Sequence, residues 1–174
     1  MIITDKHTYF DLLEMENSLN IDLEKLETNY LKILNQFHPD RVKDLEQKVI
    51  AASVSEAVNQ GYKILSNDLE RRKYILKTRG VHICGEESVT KPAGQFLEEI
   101  FEIRAKIDET KNLEQLEKIN EYASAQYQKN ITLFDKLYLE EKIIDAGLYL
   151  NHALFYSKIL EEISNKKSNY HANS

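Results

Sequence analysis

His38 and Asp40 flank Pro39, placing an imidazole and a carboxylate two residues apart. Such a pair suits general acid–base catalysis. That chemistry needs a pocket and a third group to orient the base, and a loop tip offers little of either. The proline fixes its own φ, removes a donor and drives His38 away from helical geometry. A helix ending near Phe37 must therefore stop, and the chain must turn there. A stiff polar loop between two helices suits recognition by a partner. A helix-breaking turn with no further role is the alternative.

The elements around the loop follow from apolar spacing. Tyr9-Phe10-Asp11-Leu12-Leu13 reads as a short apolar helix. Leu23, Leu26, Tyr30, Ile33, Leu34 and Phe37 lie on one helical face, with Asp22 or Asn20 as cap. The opposite face carries Lys25, Asn29, Lys32 and Gln36. After the turn, Arg41 and Lys43 precede a long helix from about Glu46 to Leu65, its apolar side running through Ile50, Val54, Ala57, Val58, Tyr62 and Leu65. Ser66-Asn67-Asp68 reads as an end and a new cap, followed by a helix over Leu69–Thr78. Two long helices across a short loop predict an antiparallel hairpin.

The chain has 5 Gly and 2 Pro in 174 residues, so long stretches are unbroken and an all-α fold is expected. Three of those glycines and one proline fall in residues 80–94, expected to be a linker between residues 1–79 and a second domain over 95–165. That domain reads as three helices: about Gln95–Glu109, Asn112 to about Leu137, and about Glu140–Ile163. Asn112 and Gln115 have capping-box spacing. Short turns predict an antiparallel three-helix bundle, and residues 166–174 read as a frayed polar tail.

The net charge is −6, with −1 over residues 1–80 and −5 over 81–174, which argues against nucleic acid as a partner. No apolar run reaches the length of a membrane span. Cys84 is the only cysteine, and the histidines show no metal-ligand spacing, so neither disulfide nor metal nor other cofactor is expected. Met1 to His7 reads as neither a signal nor a transit peptide, and a cytoplasmic protein is expected.

In the second domain, Phe96, Ile100, Ile103 and Ile107 make one core stripe. Leu97 and Phe101 lie about 90–130° from its centre, a wider arc than one helix of a bundle usually buries. An exposed apolar patch marking a partner site is one reading. A wide core, or contact with the first domain, is the other. Leu154-Phe155-Tyr156 poses the same question, since three consecutive residues cannot all face one core. Glu102 lies one turn from Glu98 and Glu99, at the rim of such a patch or on a solvated acidic face.

Residues 9–77 resemble a J-domain. The features that carry this are Tyr9 to Leu13, the Leu23–Phe37 helix, His38-Pro39-Asp40-Arg41, and Asn59-Gln60-Gly61-Tyr62-Lys63-Ile64-Leu65, with Gly61 where the family usually has alanine. The segment Gln95 to Arg104 is similar to the start of the C-terminal domain of HscB co-chaperones of iron–sulfur cluster biogenesis. The resemblance implies an L-shaped, non-catalytic adaptor. His38, Pro39 and Asp40, with the basic strip Lys25, Lys32, Arg41 and Lys43, would engage a DnaK-class, HscA-type chaperone and stimulate its ATPase. Leu97, Phe101, Glu102 and Phe155 would hold an IscU-type scaffold. Glu98 stands where the family often has an apolar residue and Ala105 where it often has Glu, which implies a patch either smaller than the family's or centred on Leu97, Phe101 and Phe155. The absence of a Cys-rich extension implies a bacterial member. A general J-domain adaptor for another client is the alternative.

Overall fold

In the computed structural model, residues 8–37, 44–83, 88 and 90–172 are described, with side chains through residue 170. These residues form seven α-helices and no strand. The chain divides into two units, Met1–Thr78 and Arg79–Ser174.

The first unit is built on a helical hairpin. α1 (Tyr9–Leu12) is only four residues long and is held by a full capping box. The Thr8 hydroxyl accepts from the Asp11 N–H, and the Asp11 carboxylate accepts from the Thr8 N–H. α2 (Leu23–Gln36) starts at Asp22, whose carboxylate accepts from the N–H groups of Glu24 and Lys25 at 3.0 Å each. α3 (Leu45–Ser66) starts at Asp44 in the same way. The Tyr30 and Tyr62 rings stack at 4.2 Å, the Tyr30 hydroxyl donates to Asn59, and the Ser55 hydroxyl donates to the Phe37 carbonyl. Rising numbers on α2 thus meet falling numbers on α3, so the pair is antiparallel. The buried apolar side chains of this unit are Phe10, Leu12, Leu13, Leu19, Leu26, Ile33, Ala51, Val54, Val58, Leu65, Ile75 and Leu76.

Ile50 departs from the expected stripe and is exposed, as are Leu45 and Val49. Ser55 meets Phe37 at the end of α2, and these exposed residues all precede Ala51, the first buried residue of α3. α4 (Asp68–Thr78) carries two buried arginines, Arg71 and Arg72, which share the Asp68 carboxylate. Arg71 also donates to the Leu19 and Leu65 carbonyls, tying the α1–α2 connection to the end of α3.

The second unit holds α5 (Gly94–Glu109), α6 (Leu113–Leu139) and α7 (Ile143–Ala172). Asn112 caps α6, accepting from the Glu114 N–H at 2.8 Å. Cross-helix pairs set the directions. Glu99 meets Tyr156 and Arg104 meets Glu162, so α5 and α7 run parallel. Tyr122 meets Glu99 while Glu117 meets Lys167, so α6 runs against both. The result is the expected antiparallel three-helix bundle. Its core is Ile100, Ile103, Ile107, Leu116, Ala123, Tyr156, Ile159 and Ile163.

Two segments differ from their sequence reading. Residues 80–94, expected to link the domains, include buried Val81, Ile83 and Thr90. Val81, Ile83 and Thr90 lie against α7, where a Cβ on Gly147 would stand 3.0 Å from Thr90 and 3.2 Å from Ile83. The Asn151 amide donates to the Thr90 carbonyl at 2.7 Å and the Ile83 carbonyl at 3.3 Å. The expected frayed tail is helical through Ala172. The Lys166 ammonium donates to the Ile107 and Asp108 carbonyls and the Tyr170 hydroxyl to the Thr110 carbonyl. These bonds satisfy carbonyls at the end of α5, which a helix leaves without partners of its own.

Gly61 explains the departure from alanine noted in the sequence. A Cβ there would stand 2.9 Å from the Tyr9 ring and 3.2 Å from Leu13. Tyr9 is itself held, its N–H donating to the Tyr74 hydroxyl and its ring 4.9 Å from that of Tyr74. Gly61→Ala gains about 1 kcal/mol of helix propensity, but overpacking costs roughly 1–3 kcal/mol. Urea denaturation followed by circular dichroism should show a lower midpoint for Gly61→Ala. A raised midpoint would mean that Tyr9 yields freely.

Candidate functional site

Two sets of residues are candidates, one in each unit. In the first, residues 38–43 lie outside the described residues, and with them His38, Pro39, Asp40, Arg41 and Lys43. The flanking framework is described. α2 ends at Gln36 with the Phe37 N–H bonded to the Ile33 carbonyl, and α3 restarts at Asp44. An antiparallel hairpin thus brackets the loop on both sides.

On the polar face of α2, Lys25 is exposed. Lys32 pairs with Glu14 at 2.8 Å, with both side chains about half exposed. An exposed pair of this kind is weak and leaves the ammonium free to change partners. Asn29 is engaged differently: its amide donates to the Leu13 and Glu14 carbonyls at 2.9 and 3.2 Å. It satisfies backbone groups at the end of α1, a job that a lysine, a donor alone, would do at the cost of a buried charge.

In the second unit, α5 presents the other set. Ile100, Ile103 and Ile107 are buried as the stripe predicts, and Phe96 is partly buried at its end. Leu97 is half-buried and Glu102 exposed. Phe101 is 67% exposed, one turn beyond Leu97 on the same face. The core does not swallow both. Of the run on α7, Tyr156 enters the core while Leu154 and Phe155 stay half-buried. Phe155 meets the Phe96 ring edge-on at 5.7 Å. Phe96 therefore backs Phe155, while Leu97 and Phe101 project from the next face of α5. Glu98 and Ala105, the two departures from the family pattern, are both exposed.

The sequence reading gave no role to Glu99, Tyr122 or His152. Glu99 accepts hydrogen bonds on one oxygen, Oε1, from the Tyr122 and Tyr156 hydroxyls at 2.7 Å each. Burial, then the bond to Glu99, pushes the Tyr156 phenol well up. The Glu99 bond is the first cause of the upward shift at Tyr122. Both phenols thus stay protonated and donate. His152 lies flat on Phe96 at 3.8 Å, with Tyr149 edge-on at 6.0 Å. Its Nε2 is buried and has no hydrogen-bonding partner among the described residues. A signal for Glu99 existed: it falls three residues after Phe96, at the edge of the core stripe, where a carboxylate needs donors.

Among the described residues, no group of three or more His, Cys, Asp or Glu is arranged to hold a metal ion. None of their helices is long and apolar enough to cross a membrane.

No family model matches the chain. It is similar to the co-chaperone protein HscB of Proteus mirabilis (strain HI4320), with 32% identity over 127 residues, 72% of this chain and 73% of that protein. It is also similar to the iron-sulfur cluster co-chaperone protein HscB homolog of Arabidopsis thaliana. There the identity is 29% over 166 residues, 94% of this chain and 65% of the relative. Among solved structures, human co-chaperone protein HscB matches with a TM-score of 0.83 and 26% identity, over 94% of this chain and 84% of that one.

Burial lowers the His152 pKa from its ordinary 6.5, opposed by the Glu99 charge. The neutral imidazole is favoured in the fold, so the unfolded chain takes up the proton first. The contribution of His152 is complete above about pH 6.5 and is lost as the pH falls below it. His152→Phe keeps an aromatic partner for Phe96 and removes the titration. Denaturation midpoints measured at about pH 7.5 and 5.5 should fall further in wild type than in the variant. Equal falls would exclude His152 from the acid response.

Proposed function

Because this chain belongs to the HscB co-chaperone family, we propose that it delivers an IscU-type iron–sulfur scaffold to an HscA-type, DnaK-class chaperone and stimulates that chaperone's ATPase. The chain carries out no chemistry of its own in this reading. Its relatives' names give the coarser role, a co-chaperone of iron–sulfur clusters.

The observation that carries the scaffold assignment is Phe101. A phenylalanine 67% exposed, one turn from half-buried Leu97, is apolar surface available to a partner. Aromatic anchors at the centre of a small patch supply much of the energy of an interface. Glu102 beside them adds a polar rim, and Phe155, backed by Phe96, extends the apolar area.

In the first unit, residues 9–77 act as the J-domain. His38, Pro39 and Asp40 are the recognition tripeptide, and Lys25, Lys32, Arg41 and Lys43 the basic strip that meets an acidic face of the ATPase. Support comes from the antiparallel α2–α3 hairpin that brackets the tripeptide and from the exposure of Lys25 and Lys32 beside it. The strip is thin, because Asn29 is engaged with backbone carbonyls rather than facing a partner. Long-range steering should accordingly be modest. The mechanism is coupling: a chain that holds client and ATPase together raises the local concentration of client at the chaperone.

Steady-state ATP hydrolysis by the chaperone, with and without scaffold, tests both ends. Wild type should stimulate and His38→Gln should not. Leu97→Ala/Phe101→Ala should retain the scaffold-independent stimulation and lose the scaffold-dependent part, with the scaffold Kd raised about tenfold or more. Stimulation that scaffold never alters would favour a general J-domain adaptor for another client. No stimulation at all would remove the J-domain reading.

A further inference from the structure

We propose that Glu99 is a positioning residue for the scaffold-binding patch: its carboxylate, held by the Tyr122 and Tyr156 hydroxyls, fixes the roll of α5 that keeps Leu97 and Phe101 facing out. The inference rests on the reading of Leu97 and Phe101 as scaffold contacts.

The helical wheel sets the geometry. Taking the middle of the Phe96, Ile100, Ile103 and Ile107 stripe as zero, Glu99 lies about 70° to one side. Leu97 and Phe101 lie about 90° and 130° to the other. The two flanks are coupled, because a roll that lowers one lifts the other. Hydrophobic burial favours a roll that takes Leu97 and Phe101 toward the core. On their own flank Arg104, about 70° from the centre, is held only by a partly exposed ion pair to Glu162 on α7 at 2.9 Å. The stronger restraint lies on the opposite flank. The same roll would lift Glu99 away from two phenols, one on α6 and one on α7.

Those bonds are costly to break. Both are 2.7 Å and both involve a carboxylate, which makes them stronger than bonds between neutral groups. Tyr156 is only 2% exposed, so its hydroxyl has little access to water if Glu99 leaves. Tyr122 is partly exposed and its bond is the weaker restraint. The two donors come from different helices, so the carboxylate triangulates α5 against both members of the α6–α7 pair. Phe96, wedged between His152, Phe155 and Tyr156, anchors the same end of α5 along its length. Glu99 supplies the rotational restraint that stacked rings do not.

The test is binding of purified scaffold to the full-length chain by calorimetry. Phe101→Ala, Glu99→Ala, Glu99→Gln, Tyr122→Phe and the Glu99→Ala/Phe101→Ala double variant are compared with wild type, each checked by a circular dichroism melt. Glu99→Ala should weaken binding about tenfold. Glu99→Gln should stay within about threefold of wild type, because an amide oxygen accepts from both hydroxyls as Oε1 does. The double variant should bind no more weakly than the worse single one, as expected when one residue acts through the other. Should Glu99→Ala fail to fold, Tyr122→Phe carries the test with a loss of about threefold. If Phe101→Ala weakens binding and Glu99→Ala (or, in its place, Tyr122→Phe) does not, the positioning role is wrong and the patch stands. If Glu99→Gln is as weak as Glu99→Ala, the charge itself meets the partner and the positioning role is again wrong. If Phe101→Ala binds like wild type, the patch reading fails and takes this inference with it.

Discussion

A polar group taken out of water must find a partner inside the fold, and three such groups decide how the helices of this chain meet. Arg71 is the first. Its guanidinium reaches the Leu19 carbonyl, the Leu65 carbonyl and the Asp68 carboxylate, so one side chain joins the α1–α2 connection, the end of α3 and the start of α4. Asn151 is the second, drawing the Ile83 and Thr90 carbonyls onto α7. Tyr156 is the third, linking the middle of α7 to Glu99 on α5. Apolar packing has no direction and would accept several registers. Hydrogen bonds between buried groups accept few, because a misplaced donor is left unsatisfied.

The helices were legible in the sequence because their causes are local. Apolar spacing, Asp22 before α2 and Asn112 before α6 all act within a few residues, and the helix starts fall where those residues put them. The exposure of Phe101 was open to the same reasoning, since a helix has only so much face to bury. What was hidden depends on distant partners. Residues 80–94 look like a linker by composition, yet Gly147 and Asn151, about 60 residues on, make room and hydrogen bonds for them. Lys166 and Tyr170 look like tail residues until the carbonyls at the end of α5 are placed beside them. Glu99 looks like one more surface acid until two tyrosines arrive from other helices. The His38-Pro39-Asp40 tripeptide was legible as a motif, and it lies outside the described residues.

The two candidate sites are built by opposite means. The tripeptide carries its constraint in its sequence: a proline fixes its own φ whatever surrounds it. The apolar patch has no such constraint. Leu97, Phe101 and Phe155 are ordinary side chains made available by what lies beneath them: Phe96 under Phe155, and a filled isoleucine stripe that leaves Leu97 and Phe101 at its margin. A site of the first kind tolerates change in its neighbours, whereas one of the second kind inherits every shift in the core.

The clasp between the far end of α7 and the α5–α6 turn has a consequence for how the chain is made. The Tyr170 hydroxyl closes on the Thr110 carbonyl across 60 residues of sequence. A ribosome delivers residue 110 long before residue 170, and domains generally fold as units from the N-terminal side. The first unit ends at Thr78 and can settle while synthesis continues. The turn after α5 is an early product that must wait for a late one, so the bundle is completed only once residue 170 has been made.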